Sequence, residues 1–218
     1  MRLLHRIAEL VYPPKCILCR SVLEKKELDL CGDCRVNAPE CPVKRTRFPF
    51  VESWLAVWHY EGHVRSSLLR YKFYHKRHYA SGYGRLLAMK IAREREDDFD
   101  LITWVPISRR RKLRRGYDQV ELLAQAVCDE LGMEPTCTLR KIRHNPPQSG
   151  IVGHAHRRAN VLGVYSVVKP ENIKDKRILL LDDIITTGAT VSECARVLLT
   201  AGAKEVHCAA VAAVKEHK

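Results

Sequence analysis

Residues 178–190 read Ile-Leu-Leu-Leu-Asp-Asp-Ile-Ile-Thr-Thr-Gly-Ala-Thr, and no other stretch constrains the fold as tightly. The nearly continuous apolar run 178–185 reads as a strand covered on both faces, as in the parallel sheets of α/β proteins. Asp182 and Asp183 then fall at its C-terminal edge, where such sheets bind ligands. A turn of small hydroxylated residues follows, with Gly188 allowing close backbone approach. A helix is predicted from Gly188 to Ala201. Unpaired N–H groups and a favourable dipole at its start suit an anion, so a phosphate group fits the turn Thr186, Thr187, Gly188, Ala189 and Thr190. The two carboxylates lie one sugar's width away, placed to accept hydrogen bonds from vicinal hydroxyls or to hold Mg2+ through water. A Walker B strand is the competing reading, but it needs a GxxxxGK[ST] segment upstream and the sequence has none. A buried strand with one capping Asp accounts for one carboxylate, not for the pair and the threonine turn.

The flanking sequence continues the α/β alternation. Residues 51–60 and 101–107 read as strands, 62–95 as two helices parted by the basic-aromatic segment Lys72 to Tyr79, and 117–131 as a helix stopped by Gly132. Residues 140–160 carry Pro, Gly, His and Arg without a period and read as a long loop. Residues 163–168 read as an edge strand or hairpin arm, exposed enough to pair between subunits, which leaves the oligomeric state open. Residues 205–214 form the last strand. The fold class is therefore α/β with a mostly parallel twisted sheet.

Five of the nine cysteines fall within the first 41 residues. Cys16-x-x-Cys19 and Cys31-x-x-Cys34 are two knuckles, each able to aim two sulfurs at one ion, and together they make a closed tetrahedral cage suited to structural Zn2+. A redox dithiol needs one such pair, not two. Cys41 is surplus, either a replacement ligand or a free thiol. A segment of some 50 residues gains from the metal the stability its small core lacks. Leu3, Leu4, Ile7, Leu10 and Val11 space helically ahead of Pro13 and Pro14. The expected organisation is a helix and zinc-ribbon module over 1–49 and an α/β domain over 50–218.

Lys and Arg total 38 against 25 Asp and Glu, a net charge of +13 that points to a polyanionic partner. Hydrophobic residues at 46% and charged residues at 29% exclude wholesale disorder. No apolar run nears the ~18 residues that span a bilayer, and the charged N-terminus lacks a signal peptide's apolar core. A cytoplasmic location without membrane insertion is expected. Val105-Pro106-Ile107-Ser108 closes a strand and leads into Arg109, Arg110, Arg111, Lys112, Arg114 and Arg115, a reasonable cradle for pyrophosphate. Between His63 and Arg115, fifteen Lys and Arg face five Asp and Glu. There Tyr71, Lys72, Phe73, Tyr74, Lys76, Arg77 and Tyr79 interleave cations and rings, the chemistry of single-stranded DNA contact, unless the rings serve the core.

The 178–190 stretch resembles, at all thirteen positions, the loop of type I phosphoribosyltransferases that binds 5-phosphoribosyl 1-pyrophosphate (PRPP). Pro14-x-Cys16-x-x-Cys19, Lys72, Arg115-Gly116-Tyr117-Asp118-Gln119, Gln148, Arg157-x-x-Asn160 and Asp182-Asp183 follow one order. That order is similar to the ComF family of competence proteins, with its ComFC and GntX-like members. The departures are Asp118, where Asn is commoner, and a last knuckle reduced to Cys41.

The resemblance implies a type I phosphoribosyltransferase-like domain behind an N-terminal zinc ribbon, and a role in the uptake and use of external DNA. It implies that Asp182 and Asp183 bind the ribose diol. Thr186, Thr187, Gly188, Ala189 and Thr190 would hold the 5′-phosphate, and Pro106, Ile107 and Ser108 the pyrophosphate with Mg2+. Lys72 and Arg115 are candidates for pyrophosphate or loop contacts, Gln119 for orienting or packing. Gln148, Arg157 and Asn160 would close a hood over PRPP, and a non-proline cis peptide is often found in the pyrophosphate loop. Three uses of such a chain stay open: a PRPP-binding protein that contacts single-stranded DNA, a phosphoribosyltransferase acting on an unknown small acceptor, and a zinc-ribbon adaptor docking a DNA-translocating helicase.

Overall fold

The computed structural model describes residues 13–42, 48–94, 99–143 and 162–215. The expected leader helix over residues 3–11 and the hood residues Gln148, Arg157 and Asn160 lie outside the described residues.

Four parallel strands form the main sheet: β1 (Trp54–His59), β2 (Leu101–Trp104), β5 (Arg177–Ile185) and β6 (Glu205–Ala213), in the order β1-β6-β5-β2. The centre of β5 is buried on both sides. Leu179 and Leu181 face one apolar cluster and Ile178 and Leu180 the other, the two-residue alternation of a pleated strand. On the first face pack α2 (Gly62–Phe73), α3 (Tyr79–Glu94) and α5 (Gln119–Leu131). On the second packs α6 (Ala189–Thr200), through Val191, Cys194 and Leu198. The helices α3 and α5 cross closely because Gly84 lacks a side chain: a Cβ there would sit 2.4 Å from that of Ala126. The expected strands and helices of the main domain are all present.

The basic run after Ser108, assigned to no element from sequence, forms a short helix, α4 (Arg109–Arg115), between a Ser108 cap and Gly116 at φ 75. Arg, Lys and Leu are good helix formers, so the run coils and fans its cations to different sides. The stretch 140–160 expected as loop needs correction at its start: Arg140 and Lys141 belong to β3 (Leu139–Lys141), paired antiparallel with β4 (Tyr165–Val167). Thus 163–168 supplies a hairpin arm, while residues 144–161 lie outside the described residues. No peptide bond is cis among the described residues.

The cysteine-rich segment shares the first apolar cluster rather than forming its own. Ile17, Leu18 and Leu30 pack with Leu68, Tyr71 and Tyr83. Arg70 donates to the Leu18 carbonyl at 2.5 Å, and Ser67 donates to that of Ile17. Arg85 grips Asp29 with two hydrogen bonds of 2.8 and 2.7 Å. Residues 39–41 run along β1, with Cys41 N–H donating to Val57 and His59 N–H to Pro39. Among the described residues no helix is long and apolar enough to cross a membrane.

Candidate functional site

The two carboxylates arrive where the sequence puts them, at the C-terminal end of β5. They line a cleft of about 280 Å3 together with Thr186, Gly188 and Thr190 from the turn and Pro106 and Ile107 from the end of β2. Lys72 from α2 and Arg115 from α4 complete its cationic side. Thr187 and Ala189 line a neighbouring depression with Phe50 and Leu162 instead, and the buried Thr187 hydroxyl finds no partner among the described residues. Ser108 caps α4, its hydroxyl accepting from Arg111 N–H at 3.4 Å. Sequence reasoning did not place Tyr60 or Tyr165 in the cleft, and read Phe73 only as part of a basic-aromatic segment. Nothing local marks Tyr165: its register opposite Lys141 brings it there.

One hydrogen-bonded chain joins the motif residues. Lys72 Nζ lies 2.9 Å from Asp183 Oδ1. Gln119 Nε2 donates to Asp183 Oδ2 at 3.0 Å, and Arg115 donates to Gln119 Oε1 at 2.7 Å. Tyr71 holds the Gln119 carbonyl at 2.5 Å, and Tyr117 holds that of Tyr71 at 2.6 Å. Gln119 is therefore the joint between cation and carboxylate. Asp118 Oδ1 caps α5 by accepting from Val120 and Glu121 N–H, while its Oδ2 accepts from Ile107 N–H at 3.0 Å and so fixes the 105–107 segment. Burial pushes the Asp118 carboxyl up, and these three donors work against that shift.

Asp182 sits deepest. Its Oδ1 accepts from Asp183 N–H at 2.8 Å. Burial first, and the neighbouring Asp183 second, hold its carboxyl well above the usual range, with Lys72 easing the cost. Two adjacent buried acids beside cations are poised for a ligand that brings donors or a cation of its own.

Gly188 is the turn's strictest position. It takes φ 74, and a Cβ would fall 2.2 Å from the ring of Phe48, which packs on Trp54 at 5.2 Å. Left-handed backbone costs alanine about 1–2 kcal/mol before that clash is counted. We expect Gly188→Ala to lower the thermal midpoint by about 5 °C; an unchanged midpoint in calorimetry would mean that neither the left-handed strain nor the Phe48 contact is felt.

The four sulfurs of Cys16, Cys19, Cys31 and Cys34 lie within 4.8 Å of one another. Tight turns build the pair of knuckles: Arg20 N–H donates to Cys16 O with Arg20 at φ 75, and Arg35 N–H donates to Cys31 O at the start of α1 (Gly32–Asn37). Tetrahedral thiolates around one zinc stand about 3.8 Å apart, and Cys19 and Cys31 are separated by 3.5 Å. Burial raises the Cys34 thiol, whereas at Cys19 the Ser21 hydroxyl and amide overcome burial and bring it to about 6. Four sulfurs so close cannot all ionise unless a cation joins them, and the donor set is that of a closed structural metal site. Cys41 lies outside the four, in the second apolar cluster.

Residues 118–218 match the model of the phosphoribosyl transferase domain. Competence protein F of Haemophilus influenzae is 26% identical over 215 residues, covering 88% of this chain and 93% of that protein. Competence protein ComFC of Streptococcus pneumoniae is 27% identical over 223 residues, covering 88% and 96%. These matches, spanning nearly the whole chain, support its resemblance to the ComF family. A further relative, DNA utilization protein YhgH of Salmonella typhi, is 27% identical over 200 residues, covering 88% of this chain and 86% of that protein. Among solved structures, the allosteric regulatory enzyme of purine biosynthesis superposes with a TM-score of 0.44 at 21% identity, covering 66% of this chain and 30% of that enzyme. The domain match begins at Asp118, so Arg115 and Lys72 lie ahead of it and enter the cleft through α4 and α2.

Proposed function

We propose that this ComF-like protein binds PRPP in the cleft above β5 and works in the use of DNA. The observation that carries the reading is one cavity uniting the adjacent carboxylates, the hydroxyl turn and two cations. Asp182 and Asp183 accept from the ribose diol. The amides of the Thr186–Thr190 turn and the hydroxyls of Thr186 and Thr190 surround the 5′-phosphate. Pro106 and Ile107, with Lys72 and Arg115, take the pyrophosphate. Asp182 and Asp183 are the residues that would hold Mg2+, which when bound would neutralise charge on the pyrophosphate. The four-cysteine site holds zinc in a structural role.

Asp182 makes the reading testable by pH. Its proton is held more tightly than an ordinary carboxyl's, while a diol or hydrated cation prefers the ionised form. Binding therefore releases a proton, and affinity rises with pH, by at most about tenfold per unit below the pKa of Asp182. Calorimetry of PRPP with Mg2+ in buffers of differing ionisation heat should show that release, and Asp182→Asn should remove it. Failure of the wild-type protein to take up PRPP would sink the reading.

A second component is contact with single-stranded DNA. Of the rings interleaved with cations, Tyr71 and Tyr79 are core, but Phe73 and Tyr74 are 55% and 68% exposed beside Lys76 and Arg77. Phe73 also lies under Arg115, 5.0 Å from its guanidinium, at the cleft's rim. Transfer of the phosphoribosyl group to a small acceptor is compatible with the same cleft, since pyrophosphate departure needs stabilised charge rather than a protein nucleophile. Release of pyrophosphate from PRPP only when an acceptor is added would establish it.

A further inference from the structure

Beside the cleft lies a second cavity of about 540 Å3, sharing its Pro106–Ile107 wall. Its cations come from two elements: Arg109 and Lys112 from α4, Arg140 and Lys141 from β3. Its acids are occupied. Both Asp118 oxygens accept backbone N–H groups, and Glu121 holds Lys112 at 2.6 Å. Arg140 donates to the Ser166 hydroxyl at 3.0 Å, and Lys141 lies over the Tyr165 ring, 5.2 Å from its centroid. Among the described residues no carboxylate pairs with Arg109, Arg140 or Lys141. Burial, with Arg111 as a like-charged neighbour and Asp182 opposing, brings the Lys141 ammonium down to about 8.

The shape argues for an extended ligand. The cations are strung across a helix and a strand rather than converged on one point, and Trp104, Leu139 and the exposed Ile142 supply apolar lining between them. From Arg109, α4 runs about 10 Å along its axis to Arg115, which sits over Phe73 at the rim of the cleft. Cations following a chain of phosphates with apolar surface beneath the sugars and bases is how single strands are bound without sequence preference.

We propose that this groove carries the phosphodiester backbone of single-stranded nucleic acid, back to back with the PRPP cleft across the 105–107 wall. The inference rests on the nucleic-acid component of the function proposed above and gives it a surface. Arg109 and Arg140 are exposed, so replacing both spares the fold. A fluorescent oligothymidylate titrated onto the full-length protein should bind about tenfold more weakly to Arg109→Ala/Arg140→Ala at physiological salt. Its log–log salt slope should fall by about 0.7 per lost contact. The Arg→Lys pair should restore most of the loss, PRPP affinity should be unchanged, and excess PRPP with Mg2+ should not displace the oligomer. Unchanged affinity in the alanine pair overturns the groove, and if Phe73→Ala weakens binding instead, the strand lies on the aromatic rim. Displacement by PRPP overturns it by placing the phosphates in the cleft. A wild-type protein that ignores the oligomer overturns both the groove and the nucleic-acid reading, while PRPP calorimetry judges the cleft separately.

Discussion

Replacing Asp182 and Asp183 together by asparagine should cut PRPP affinity by a hundredfold or more, while Asp182→Asn alone makes the ligand-free protein more heat-stable. The two effects share one cause. Asp182 is buried beside a second acid, so its ionised form is costly until a ligand arrives. An asparagine oxygen still accepts the Asp183 N–H at 2.8 Å but carries no charge to bury. Relief of about 1–2 kcal/mol corresponds to a rise of roughly 2–8 °C in a chain of this size. The sign with pH follows. A carboxyl whose folded pKa is raised contributes stability that is present at low pH and is lost as pH climbs from the ordinary carboxylate range through the raised value. The wild-type protein should therefore lose more stability than Asp182→Asn over that climb. Asp183 behaves differently, because Lys72 and Gln119 already satisfy it, and Asp183→Asn gives up the 2.9 Å ion pair. Calorimetry with PRPP and thermal unfolding across pH measure both halves. Intact affinity in the double variant would mean that the diol is bound elsewhere.

Stripping the metal, or replacing Cys31 by serine, should lower the unfolding midpoint of the whole domain by on the order of 10 °C, in a single shifted transition. An independent ribbon would instead melt alone and leave the α/β domain unchanged. The structure favours the single transition because Ile17, Leu18 and Leu30 share one apolar cluster with Leu68, Tyr71 and Tyr83. The Arg85–Asp29 pair and the Arg70 hydrogen bonds to Ile17 and Leu18 stitch the same boundary. Tyr71 in turn holds Gln119, so slackening at the cysteines reaches the cleft through two side chains. Removing residues 1–48 would uncover that core, so a role for the cysteine module in docking a partner is better probed at its exposed residues Leu28 and Val36. Two separate transitions, observed with chelator by calorimetry, would refute the shared core.

The residues whose chemistry depends on local order were legible in the chain. An apolar strand, two acids, a hydroxyl turn and a glycine are consecutive, and a strand-to-helix connection keeps consecutive residues together wherever the domain puts them. The cysteine pairs are likewise local, two residues apart within each knuckle. The order β1-β6-β5-β2 was not legible, because parallel pairing joins residues far apart in sequence through backbone groups that every residue carries.

Side-chain facing was the other gap. Tyr71 and Phe73 are two residues apart on α2, roughly 200° around the helix, so one is core and the other rim. The cations of α4 divide in the same way, with Arg115 in the cleft and Arg109 and Lys112 in the groove beside it. Sequence by itself determined the α/β class, the acid–hydroxyl turn and the four-sulfur cluster, since these rest on neighbours along the chain. Only the tertiary structure decided that Gln119 joins Arg115 to Asp183, that Phe48 fills the space beside Gly188, and that the cysteine module shares the core. Each of these contacts is made by packing between distant segments, and its geometry exists only once both surfaces are in place.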